Sequence, residues 1–182
     1  MSSKLKIETI NKIIDIEGDY VNDPSDSGGE TNFGITISVA RANGYRGSMK
    51  RMSRGVAFSI YAKQYWDKLN LDTVEALSPL IAKELADTSV NMGAGRAGKF
   101  LQRSLNVLNN RGKHYDDLVV DGAIGANTIN ALREYLSTRD SDDEKILYQM
   151  LNNLQGAFYV TLAERREKDE KFIYGWYKHR IS

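Results

Sequence analysis

Two carboxylates nine positions apart, Glu17 and Asp26, mark the most informative stretch of this chain, EGDYVNDPSDSGGETNFGIT (17–36). Glu17 falls in phase with the apolar stripe Ile10, Ile13, Ile14, so a helix through it turns its carboxyl toward the core. Burial disfavours the ionised form, and a carboxyl that stays protonated near neutrality can hand a proton to a leaving oxygen. Asp26 sits on a loop rich in glycine that can fold back over the helix end. A second, ionised carboxylate is what glycoside hydrolysis asks for, either to activate water or to stabilise positive charge on the sugar. Thr31 adds a hydroxyl able to hold that water. The same residues have plainer readings: a helix-terminal glutamate reaching solvent, an Asx turn at Asp26 and a strand-favouring threonine.

Helices must position these groups. Proline occurs only at positions 24 and 79, so long helices are permitted almost everywhere. The periodicity predicts helices over 5–17, 54–68, 79–92, 96–108, 126–137 and 144–167. Gly18 is the expected stop of the first, and Ser78-Pro79 the expected cap and first residue of the third. Residues 19–36 read as loop ending in a short β excursion at NFGIT. Gly93, Gly95 and Gly98 match G-x-G-x-x-G, but helix precedes them where a dinucleotide site needs a strand, so they predict close packing.

Composition removes several function classes. With no cysteine there is no disulfide scaffold, thiolate zinc site or cysteine nucleophile. Two histidines, His114 and His179, are too few for a multi-histidine metal site and give little support to a serine triad. An EF-hand loop begun at Asp23 would place Gly34 where the twelfth-position glutamate belongs. No metal and no cofactor is expected. The 25 basic and 24 acidic residues give a net charge of +1, which provides no electrostatic reason to invoke nucleic acid or an anionic membrane. The first twenty residues lack the continuous apolar run of a signal peptide or membrane anchor. An enzyme that works outside the bacterial cytoplasm would then need holin-dependent release or dedicated export.

The 17–36 segment resembles the signature of glycoside hydrolase family 108, the N-acetylmuramidases of phage endolysins and of secretion-associated bacterial homologues. The first glutamate of that family's E-G-G-Y motif is its catalytic acid, which implies that role for Glu17; Asp19 stands where the second glycine is usual. The Glu–Asp spacing is also similar to that of phage-type lysozymes. There five residues separate Asp from Thr, whereas four separate Asp26 from Thr31, and Asn32 falls at the other spacing. AKQYWDKL (62–69), DTSVNMGAGRAGKFLQRSLN (87–106) and FIYGWYKHR (172–180) resemble later blocks of the family, and VVDGAIGANTINAL (119–132) is similar to a small peptidoglycan-binding module.

The resemblance implies a mainly α, lysozyme-like fold with a small loop or β-hairpin at the active site. A catalytic lobe over 1–108 and a C-terminal helical lobe over 109–182 are expected. It also implies a monomer that hydrolyses the β-1,4 bond between N-acetylmuramic acid and N-acetylglucosamine in peptidoglycan glycan strands, without membrane insertion. Lytic transglycosylase activity and a non-catalytic wall-binding or secretion-accessory role are the alternatives. Tyr20 and Tyr65 are candidates for stacking on sugar rings, Asn22 and Asn32 for bonding acetamido groups, and Asp87 and Asn91, one helical turn apart, for lining the saccharide groove. Tyr65 and Trp66 fit a core as well, and Asp87 and Asn91 a surface strip. The Asp121-Gly122 turn fits either ligand binding or a tight entry into a helix.

Overall fold

Ser3 opens the first helix because its hydroxyl accepts the backbone N–H of Lys6 at 3.0 Å, satisfying a donor that the first turn leaves unpaired. In the computed structural model, which describes residues 3–18, 20–22, 29–138 and 142–181, that helix is α1 (Lys4–Glu17). The chain divides into two compact units, residues 1–67 and 68–182, taken here in turn.

In the first unit α1 buries Lys6, Ile10 and Ile14, four residues apart each time, so one narrow stripe faces inward. It packs against α3 (Arg54–Tyr61), which continues into a π turn, Ala62–Trp66. Arg54 fastens the start of α3 to α1: its guanidinium donates to Asn11 Oδ1 at 3.1 Å, to the Asn11 carbonyl at 3.0 Å and to Asp15 Oδ1 at 2.7 Å. At the other end Lys6 pairs with Asp67 at 2.6 Å.

Between α1 and α3 lies the β excursion. Strands β1 (Thr31–Asn32) and β2 (Ile35–Thr36) pair antiparallel, Thr31 with Thr36 and Asn32 with Ile35. Val21 adds a bridge to Thr31. The two-residue turn carries Phe33 at φ 51° and Gly34 at φ 71°, the paired left-handed values of a type I′ hairpin. Thr36 then caps α2 (Ile37–Ala42) through the Val39 N–H.

The second unit holds α4 (Leu71–Leu77), α5 (Pro79–Met92), α6 (Ala94–Leu108), α7 (Ala126–Thr138), α8 (Asp143–Arg165) and α9 (Glu170–Arg180). Ser78 caps α5 by accepting from Ile81 N at 3.0 Å, with Pro79 at the first helical position. Gly95 and Gly98 on α6 receive the 121–123 turn: a β-carbon on Gly98 would collide with the Gly122 carbonyl, and one on Gly122 with that of Gly95. This is the close packing the glycine spacing predicts. Buried Gln102 welds the same turn, donating to Asp121 Oδ1 at 2.8 Å and the Ala123 carbonyl at 3.0 Å while accepting from Gly122 N at 2.7 Å. Along α9, Trp176 stacks on Tyr159 of α8 at 5.0 Å, so the aromatic tail packs back on its unit.

Nine α-helices and one two-stranded hairpin among the described residues make this the mainly α, lysozyme-like fold that the sequence implies. No described helix is long and apolar enough to cross a membrane.

Candidate active site

Glu17 is the last residue of α1, and Gly18, at φ 79°, turns the chain away directly after it. The carboxyl does not enter the core as the helical phase predicts: Glu17 is exposed. The stripe that α3 covers ends at Ile14, and the final turn of α1 overhangs it. Glu17 lies instead against the hairpin turn. A β-carbon placed on Gly34 would fall 2.7 Å from Glu17 Oε2, 2.8 Å from Glu17 Cβ and 2.9 Å from the Tyr61 hydroxyl oxygen. The missing side chain at position 34 is therefore the space in which a carboxylate and a phenol converge.

Two tyrosines complete this corner. Tyr61, at the end of α3, is buried and donates its hydroxyl to the Phe33 carbonyl at 2.9 Å. Tyr65 in the π turn stacks on it at 5.5 Å. π turns within helices often mark functional sites. Burial, and after it the negative charge of Glu17, pushes both phenols above the usual tyrosine value, so both remain protonated. Beside them is a cavity of about 170 Å³ whose walls include Gly34, Thr36, Tyr61, Gln64 and Tyr65. Among the described residues no cation pairs with Glu17.

The other predicted residues fare differently. Asp26 lies outside the described residues. Thr31 is half-buried in β1, its hydroxyl 3.4 Å from the Gly29 carbonyl, a long and weak contact. Asn22 is exposed and Tyr20 half-buried. Desolvation and the Glu30 carboxylate raise the Tyr20 phenol, which hydrogen-bonds Glu30 and Asn22.

Asn32 departs from its expected role. It is buried, and its amide donates to the Met49 carbonyl at 2.7 Å, so it anchors the hairpin from within. Strand alternation is the reason: adjacent residues in β1 face opposite sides. Trp66 is 1% exposed and belongs to the core.

Asp87 and Asn91, in the second unit, are engaged with each other and with their own helices. Asn91 Nδ2 donates to the Asp87 carbonyl at 2.7 Å and to Oδ2 at 3.2 Å. Asp87 also accepts from Gln155 at 3.0 Å and Arg180 at 3.1 Å, which ties α5 to α8 and α9. These bonds tie three helices of the unit together, while Asn91 itself is exposed.

Reading the sequence passed over Tyr61, Gly34 and Glu30. Tyr61 and Tyr65 were visible as a helical i, i+4 pair, and Gly34 as the glycine of a two-residue turn. Glu30 adjoins Thr31 and carried no signal of its own. The second unit has a larger cavity, about 700 Å³, whose walls include Tyr115, Asp116, Asp121, Asn127, Asn130 and Glu134. Among the described residues no three His, Asp or Glu side chains group to hold a metal.

Residues 10–93 match the family model described as glycosyl hydrolase 108, and residues 96–181 match that of a predicted peptidoglycan domain. Residues 10–93 are thereby a glycoside hydrolase family 108 domain, followed by a predicted peptidoglycan domain. Among solved structures, the one titled as that of Brucella abortus SagA is similar over 95% of this chain and 87% of its own, with 26% identity and a TM-score of 0.65. No curated protein matches. With a family 108 domain and a peptidoglycan-binding region, the chain is a glycoside hydrolase whose partner is peptidoglycan. Glu17 and its hairpin fall within the glycosyl hydrolase match, and the 700 Å³ cavity within the peptidoglycan-domain match.

Proposed function

We propose that this family 108 protein is an endolysin-type muramidase that hydrolyses the β-1,4 bond between N-acetylmuramic acid and N-acetylglucosamine, with Glu17 as general acid. The reading rests on the position of Glu17 at the hairpin turn, with two protonated phenols beside it and no cation paired to it among the described residues. A glycosidic oxygen leaves as an alcohol only if a proton reaches it while the bond to C1 breaks. Glu17 is exposed, so its carboxyl is open to an incoming saccharide. Asp26 is assigned the second carboxylate role, taking the proton of the attacking water or steadying the positive charge on the sugar, and Thr31 the orientation of that water. Tyr20, Asn22 and Tyr65 are assigned to sugar contacts.

Digestion of purified Gram-negative peptidoglycan by wild type and Glu17→Gln, with mass spectrometry of the products, tests this. Reducing N-acetylmuramic acid ends from wild type alone are the expected result. Anhydro ends would make the protein a lytic transglycosylase. Cleavage by Glu17→Gln at the wild-type rate would remove Glu17 from the chemistry.

A further inference from the structure

We propose that Tyr61 is a positioning residue for Glu17, acting through the Phe33–Gly34 turn. The inference rests on the reading of Glu17 as the acid and adds what holds that acid in place.

Phe33 is one of the few non-glycine residues at positive φ, a conformation that an L-residue with a bulky side chain adopts only when its surroundings impose it. The type I′ turn demands it, and the Tyr61 hydroxyl secures that turn, reaching the Phe33 carbonyl at 2.9 Å from a buried position on another element. The turn so held presents Gly34 to Glu17, with Oε2 and Cβ both too close to admit any side chain at position 34. The carboxylate thus rests on a backbone surface whose height Tyr61 sets.

The phenol also has only one proton, and that proton goes to Phe33. Its hydroxyl is therefore committed to the turn and acts on Glu17 through that turn. Among the described residues Tyr61 and Tyr65 feel the charge of Glu17, and hairpin residues 31–36 carry no ionisable side chain. On α1 itself Asp15 is paired with Arg54.

The test compares kcat and KM on solubilised peptidoglycan for wild type, Tyr61→Phe, Gly34→Ala and Glu17→Gln. Tyr135→Phe serves as control, since it removes a buried hydroxyl that donates to the Asp143 carbonyl at 2.9 Å in the second unit. Tyr61→Phe is expected to lower kcat about tenfold with KM nearly constant. Gly34→Ala, which pushes the carboxyl off its seat, is expected to lower kcat by about 100-fold. Tyr135→Phe should lower the melting temperature and leave kcat in place. A wild-type kcat in Tyr61→Phe, with Glu17→Gln inactive, would overturn the positioning role and leave the acid assignment standing. Full activity in Glu17→Gln would remove both. Should Tyr61→Phe fail to fold, an unchanged kcat in Gly34→Ala overturns the proposal by itself.

Discussion

Glu17 in the first unit and Asp87 in the second are both helix carboxylates inside motif-bearing segments, and their surroundings differ in kind. Asp87 accepts from Asn91, Gln155 and Arg180, so its oxygens are committed to joining three helices. Glu17 is exposed, has no paired cation among the described residues, and rests on a glycine turn beside two phenols. The lesson is that a carboxylate's role follows from what donates to it. One whose lone pairs are filled by neighbours is scaffold, and one left facing solvent beside protonated groups is free to exchange a proton.

The glycines repeat the contrast. Gly34 lacks a side chain so that a carboxylate can rest against the backbone, and Gly98 lacks one so that another backbone turn can. The first omission serves a site and the second serves packing.

If this division is right, mutations in the two regions should separate activity from stability. The largest effect is expected from Glu17→Gln, a loss of about 10³-fold or more in kcat with the melting temperature nearly unchanged; a parallel fall in both would erase the distinction. Next comes Gly98→Ala, whose new methyl meets the backbone of the 121–123 turn and cannot be relieved by rotating a side chain. It should cost roughly 3–4 kcal/mol in thermal or chemical unfolding.

The second unit should also carry a pH dependence. Glu84 on α5 is buried, with no hydrogen-bond partner for Oε1 among the described residues, and burial followed by the charge of Asp87 raises its carboxyl to about 7. The folded value lies above the unfolded one near 4.5. Folding therefore retains a proton that the unfolded chain releases, and the associated stability is present below the unfolded value and lost as pH rises through the folded one. Unfolding followed from about pH 5 to 8 should show wild type losing on the order of 2–3 kcal/mol, with Glu84→Gln nearly flat. Equal slopes would exclude Glu84 as the source. The smallest effect belongs to Arg180→Ala, where the half-exposed pair with Asp87 should be worth only about 1 kcal/mol. Faster amide exchange in α9 with unchanged kcat would locate that loss in the clamp.

Much of the scaffold was legible because local rules suffice for it. Ser78 before Pro79 marks a helix start wherever it occurs, and the apolar stripe of α6 identifies its buried face without knowledge of the partner. The site was legible only in part. The motif led to Glu17, but helical phase led to the wrong environment for it, since phase says which way a residue points and not whether another element covers that height. Asn32 and Thr31 were read together from one loop, whereas strand alternation sends Asn32 inward. Helices α2, α4 and α9 are short or weakly striped and gave too little periodic signal to be predicted.

By itself the amino-acid sequence determined that this is a mainly helical protein, without thiol chemistry, whose opening segment resembles a glycoside hydrolase signature. Those properties depend on residue type and near-neighbour spacing, which a linear chain states outright. Only the tertiary structure decided that Glu17 rests on Gly34, that Tyr61 holds the turn beneath it from 28 residues along the chain, and that Asp87 is a clamp. Each of these is a meeting of groups far apart in sequence, and such meetings are set by how elements pack.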